Sequence, residues 1–334
     1  MLEKIKKNEY LYYIGKVVSR STDTWFRSKV MEIDKKNDSV VLRCLGNENL
    51  GTPVYLIEYD KGKSGFFAVL NHFCRYYEFA ERFGLTPVCS ITENWLFASG
   101  RNKNPFLDYF EQPGGISMES ARNSRCVIYS DYKHVGGEIY DYDDEYIARI
   151  AEIIKKYVRF SQDILNMVQA DYSKIDLKGR VLGVHVRGSD FKRNFNKHPT
   201  AVSVDEYIEV VKKLCPKFDS IFLATDDLEY LKRFQAEEAF KGKLFCYECC
   251  RSDSDVSPSF LKNEREDNQF YLAYEVIRDM LTLSRCNGFI GGKSFVSMFA
   301  RAFNMAQESG YENCVILDKG LNRNNNQIDA YEKK

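Results

Sequence analysis

A surplus of charge of either sign, histidine, and long apolar runs are what this sequence has least of. Lys+Arg 48 and Asp+Glu 48 cancel over 334 residues. The cationic excess of a polyanion or anionic-membrane binder is therefore missing, and no nucleic-acid partner is expected. Four histidines (His72, His134, His185, His198) leave little material for a His-built metal centre, and no metal is expected. No stretch approaches ~20 consecutive apolar residues, so no membrane span is expected. The first twenty residues lack the apolar core and small-residue cleavage site of a secretory signal. The ten cysteines are scattered without a framework spacing, which suits reduced thiols in a cytoplasmic protein. Cys246 and Cys249 stand at C-x-x-C distance. No second pair follows at zinc-ribbon spacing, and a structural role is expected for both.

What is present is ordinary globular chain. A hydrophobic share of 44% with 29% charged residues excludes a disordered class. At roughly 150 residues per domain the length suggests two domains. Residues 1–50 are mixed and weakly periodic, an elaboration before the first core strand at 53–59. A glycine loop, Gly62-Lys63-Ser64-Gly65, then leads into a helical pattern over 66–83. Gly84 ends it, and a second strand follows at 85–91. Strand, glycine turn, helix and strand form a βαβ unit. The stretch 98–142 is rich in turn residues and shows no firm element. Residues 143–171 carry one long amphipathic helix or two consecutive ones, and 171–176 is a polar connector where the domain boundary is set.

The second half alternates more clearly. Strands are expected at 181–186, 221–224, 244–247, 288–290 and 314–317, with helices at 203–214, 227–240, 268–285 and 294–308. The fold class is α/β: two Rossmann-like domains facing across a cleft, GT-B-like, with residues 1–172 on the acceptor side and 173–334 binding the nucleotide. The cleft is an analogy from fold. The polar loop 248–267 is a candidate lid or acceptor loop.

Ligands of open parallel sheets bind beyond the carboxyl ends of the strands, and four such ends carry suitable residues. In Val184-His185-Val186-Arg187-Gly188-Ser189-Asp190 a buried strand delivers His185 and Arg187 to one face, with Val186 directed into the core. Arginine offers a planar fork of donors to phosphate. Phe222–Asp227 ends in Asp226 and Asp227, one of which caps the next helix. In Phe289–Phe295 a strand turns through two glycines into a helix capped by Ser294, whose first amides, at Phe295 and Val296, suit phosphate. Gly-Lys-Ser within it is not a P-loop, because the position of the required first glycine is Asn287. The fourth end is the loop before Gly65.

These segments, in this order and spacing, resemble the fucosyltransferase superfamily. It includes core α1,6-fucosyltransferase, the rhizobial nodulation fucosyltransferases and the protein O-fucosyltransferases. The likeness runs from His185-Val186-Arg187 through Val204–Ile208, Leu223–Asp227, Val276–Asp279 and Leu283-Ser284 to Ser294. A weaker match covers Gly65-Phe66 and Leu85–Val88. The resemblance implies an inverting, metal-independent transferase that moves fucose from GDP-fucose to a carbohydrate acceptor, without a cofactor. Arg187 would hold the β-phosphate, and His185 with Asp279 the guanine. Asp226 and Ser294–Val296 would line the same site. Apolar Val276, Ile277, Met280 and Leu281 around Asp279 predict a buried helix, where an unpaired carboxylate is costly without a ligand.

The chain departs from the family pattern at three places. The second arginine is Gly188, the lysine after Asp190 is Phe191, and no glutamate occurs in 192–199. The first candidate for the base is Asp190, the second Glu58 or Asp60. Two alternatives stay open: another nucleotide sugar as donor, or a silent protein that binds nucleotide or glycan.

Overall fold

The computed structural model describes residues 40–60, 62–130 and 142–326. Two sheets organise it. The first has the order β1-β4-β2-β3, built from β1 (Val40–Arg43), β2 (Val54–Tyr59), β3 (Thr86–Ile91) and β4 (Val127–Ser130). β2 pairs in parallel with both β3 and β4, and β1 closes one edge antiparallel to β4. The connection from β2 to β3 is α1 (Phe66–Phe83), whose apolar residues recur every three or four positions and bury Phe66, Val69, Leu70, Phe73, Tyr77 and Ala80. Gly84 stops it at φ 63, in the left-handed region that costs glycine nothing.

The region 98–142, expected to lack firm elements, holds the short helix α2 (Met118–Arg122) and β4. β1 likewise arises inside the supposed elaboration. The amphipathic region is two helices, α3 (Asp144–Tyr157), capped by Asp143, and α4 (Gln162–Lys174). The expected connector at 171–176 is largely the end of α4. Asp171, in that last turn, accepts from Arg278 Nη1 and from the Tyr274 hydroxyl, each at 2.8 Å.

The second sheet is wholly parallel, in the order β7-β6-β5-β8-β9: β5 (Val181–Val186), β6 (Ser220–Thr225), β7 (Leu244–Phe245), β8 (Gly288–Gly292) and β9 (Asn313–Leu317). The crossovers are α5 (Val204–Leu214), α6 (Leu228–Gln235), α7 (Asn268–Ser284) and α8 (Phe295–Ala306). The helix expected over 227–240 breaks after Gln235 into a separate 3-10 turn, Glu238–Phe240.

Every residue of β5 is buried because helices cover both faces. Leu182, Val184 and Val186 pack with Tyr207, Val211 and Phe234 of α5 and α6. Phe222, Ala224 and Phe289 belong to a larger cluster that contains α7, α8 and the aromatic core of the first sheet. Phe67 of α1 meets Phe299 of α8 at a ring separation of 5.3 Å, so this core is shared by the two halves. The order in which strands are added reverses between β5 and β8, the first and fourth strands of this sheet in sequence, which opens a crevice at their carboxyl ends.

Candidate functional site

That crevice is a cavity of about 720 Å³, lined from both halves of the chain. Gly65, His185, Arg187, Asp190, Asp226, Asp279, Ser294, Phe295 and Val296 all line it. Of the two reserve bases, Glu58 turns away to pair with Arg122 at 2.9 Å, and neither it nor Asp60 lines the cavity.

The alternation of β5 sends His185 to the face of α8, where Nδ1 lies 2.9 Å from the Ser297 hydroxyl and 3.4 Å from that of Ser294. Burial lowers the imidazole pKa from 6.5 to about 4, so the ring is neutral at neutral pH. Ser294 caps α8 by accepting from Ser297 N at 3.2 Å. Its own backbone is gripped by Tyr142, whose hydroxyl donates to Ser294 O at 2.8 Å and accepts from Ser294 N at 2.9 Å. The first amides of α8 and α1 have no acceptor within their helices, and both helix starts line the cavity.

Beyond β5 the chain forms a tight acidic cradle around Arg187. Asp190 Oδ1 accepts from Nη2 at 2.6 Å, and Asp226 pairs with Nη1. Asp226 also accepts from Gly188 N at 2.8 Å and Ser189 Oγ at 2.5 Å. Ser189 sits at φ 37, unusual for a residue with a side chain; Asp226, Asp227 and Asp190 all hold it there through hydrogen bonds. Burial pushes the Asp190 carboxyl above its usual range, against the pull of Arg187. Asp227 is the capping aspartate, accepting from Tyr230 N at 3.0 Å and paired with Lys192 at 2.7 Å. Gly188 is sterically confined: a Cβ there would overlap the Cβ of Asp227.

Asp279 projects from α7, its side chain 14% exposed. Oδ1 is buried with no hydrogen-bond partner among the described residues, and Arg278 Nε stands 3.8 Å away. Burial raises its pKa from 3.8 to about 6, despite the opposing charges of Arg278 and Arg251. One turn earlier, Glu275 accepts from Cys250 N at 3.1 Å and pairs with Arg265. These bonds draw part of loop 248–267 to the cavity, which Cys249, Cys250 and Ser257–Phe260 line. The ten cysteines are free thiols. No helix among the described residues is long and apolar enough to cross a membrane.

Tyr142, Ser297 and Glu275 carry no site expectation from the sequence, and Ser189, Phe191 and His198 are named there without one, although Phe191 and His198 line the cavity. Ser189 and Ser297 stand beside recognised motifs and were within reach of the sequence reading. Tyr142 carries no local signal, since its two bonds to Ser294 join positions far apart in the chain.

No protein-family model and no curated protein matches the chain. Among solved structures it is similar to NodZ alpha-1,6-fucosyltransferase co-crystallized with GDP, at 17% identity over 76% of this chain and 93% of that one, with a TM-score of 0.45. The fucosyltransferase NodZ from Bradyrhizobium gives 16%, 76%, 94% and 0.45. POFUT1 in complex with GDP-fucose gives 12% identity over 82% of this chain and 100% of that one, with a TM-score of 0.43.

Proposed function

We propose that the protein is an inverting, metal-independent glycosyltransferase that moves fucose from GDP-fucose to a saccharide acceptor. The observation that carries this reading is the gathering of Arg187, His185, Asp226, Asp279 and two helix starts in one cavity at the reversal point of a parallel sheet. In this reading residues 173–334 bind the nucleotide and residues 1–172 present the acceptor across a cleft. The first amides of α8 and the Arg187 fork take the diphosphate, and the neutral His185 and the Asp279 carboxylate take the base. An acceptor hydroxyl attacks the anomeric carbon of the donor as its bond to the diphosphate oxygen breaks. The electron pair leaves with GDP, and the proton passes to Asp190. The departing diphosphate gains charge in the transition state, so a guanidinium already fixed by two carboxylates favours that state over the ground state.

Titration calorimetry with GDP, without added divalent metal, tests the reading. Binding is expected in the native chain and a loss of at least tenfold in Arg187→Ala; equal binding by both overturns the phosphate assignment. Turnover across GDP- and UDP-sugars then identifies the donor. A second reading is donor binding without transfer, favoured by the engagement of Asp190 with Arg187 at 2.6 Å. It predicts GDP binding with neither transfer nor donor hydrolysis.

A further inference from the structure

The loop that follows the Arg187 cradle is held from an unexpected direction. Residues 193–200 carry Asn194 and Lys197 at φ 50 and 64, and His198 and Pro199 line the cavity. A loop with two residues in the left-handed region needs outside support. The segment 320–326, after β9, supplies it. Lys197 N donates to Asn322 O at 2.9 Å, Thr200 N to Gly320 O at 2.8 Å, Asn196 N to Asn326 O at 2.8 Å, and Asn322 N returns to His198 O at 2.9 Å. The Asn322 side chain, nearly buried, spans the turn: Nδ2 donates to Phe195 O at 3.2 Å and Pro199 O at 3.3 Å, while Oδ1 accepts from Thr200 Oγ1 at 2.9 Å. Asn324 Nδ2 adds a bond to Asn194 O at 2.7 Å. The base of the segment is tied down as well, by Lys293–Asp318 at 3.0 Å and Lys319–Glu206 at 2.7 Å. An asparagine suits this place because one amide donates and accepts at once, and a short side chain reaches three backbone and hydroxyl partners of a tight turn.

We propose that residues 320–326 are a strap that fixes the His198–Pro199 wall of the cavity, with Asn322 as its positioning residue. The inference rests on the cavity being the nucleotide-sugar site. Without the strap the loop samples several conformations, and only a fraction of molecules present the wall that the ligand meets. Apparent affinity falls by that fraction.

Two measurements on the full chain test this separately. In hydrogen exchange, Asn322→Ala is expected to speed exchange at the amides of Asn196, Lys197 and Thr200 while those of β5 and β6 stay protected. Unchanged exchange at those three amides overturns the strap. In GDP titration, Asn322→Ala is expected to weaken binding by roughly 3- to 10-fold, with added GDP restoring protection to the loop. Asn322→Asp keeps the acceptor for Thr200 and loses both donated bonds, so it should resemble the alanine variant. A loosened loop with unchanged GDP affinity overturns the positioning role. Should Asn322→Ala fail to fold, Asn324→Ala, which removes one bond to Asn194, gives a smaller effect in the same direction. A native chain that binds no GDP removes the nucleotide reading and leaves the strap to be judged by exchange.

Discussion

Asp190 holds Arg187 through a 2.6 Å ion pair from within the same turn, and Asp226, just past the end of the neighbouring strand β6, holds the other terminal nitrogen. The arginine is thus oriented by the protein before any ligand arrives. In the proposed transfer, preorganisation of this kind would set a planar donor fork toward the departing diphosphate without reorganisation. It also leaves two partly buried carboxylates that depend on one cation.

Arg187→Lys separates charge from geometry. A lysine keeps the positive charge but not the fork, and a single ammonium does not reproduce two terminal nitrogens held apart by two carboxylates. GDP affinity is expected to fall about tenfold, and thermal unfolding should shift by the equivalent of about 1–2 kcal/mol as one carboxylate loses a charged hydrogen bond. Calorimetry and a melting curve check both, and native-like affinity in the lysine variant would remove the role of the fork.

Gly188→Ala tests whether the glycine is sterically required. The added Cβ would overlap the Cβ of Asp227, which is itself fixed by Tyr230 N, Ser189 N and Lys192. Neither side can yield without breaking a buried bond. A loss of about 2 kcal/mol or more is expected, read as a lower melting temperature. An alanine variant as stable as the native chain would show that the glycine is incidental.

How far the sequence reaches is seen by comparing segments. The fully buried strands β5, β6 and β8 announce themselves as apolar runs, and the residues at their ends inherit a position from the strand rule alone. That is why Arg187, Asp226 and Ser294 were legible together. Strands β1 and β4 were not, because each has four residues and draws its identity from a partner on another strand. Asp171 reads locally as connector but lies in the last turn of α4, where its partner Arg278 comes from 107 positions later. The asparagines of the strap carry no local signal either. Their bonds reach a loop more than 120 positions away.

Tyr142→Phe removes a hydroxyl that serves both the N–H and the C=O of Ser294. The buried N–H loses that acceptor, while the C=O keeps its bond from Met298 N at 2.9 Å, at a cost of about 1–3 kcal/mol. Ser294 also begins α8 at the cavity. The variant should therefore melt at a lower temperature and bind GDP more weakly, whereas a hydroxyl lost at a purely structural contact would lower stability alone.

Asp279 and His185, both buried at the cavity, carry opposite pH dependences. The folded pKa of Asp279, about 6, lies above the ordinary 3.8, so the stability it contributes is present at low pH and is lost as pH rises through 6. His185, depressed from 6.5 to about 4, runs the other way: its contribution is complete above 6.5 and is lost as pH falls toward 4. Each shift corresponds to roughly 3 kcal/mol, so the two largely offset one another between about pH 4 and 6. In Asp279→Asn the His185 effect is no longer offset by Asp279, and the melting temperature should drop more on acidification across that range than that of the native chain. Binding has its own sign. A base with N–H donors requires the Asp279 carboxylate ionised, so native GDP affinity should fall about tenfold between pH 7 and pH 5. The Asn variant should bind weakly at both. If it keeps the native slope, the proton lies on another group and Asp279 is not the acceptor.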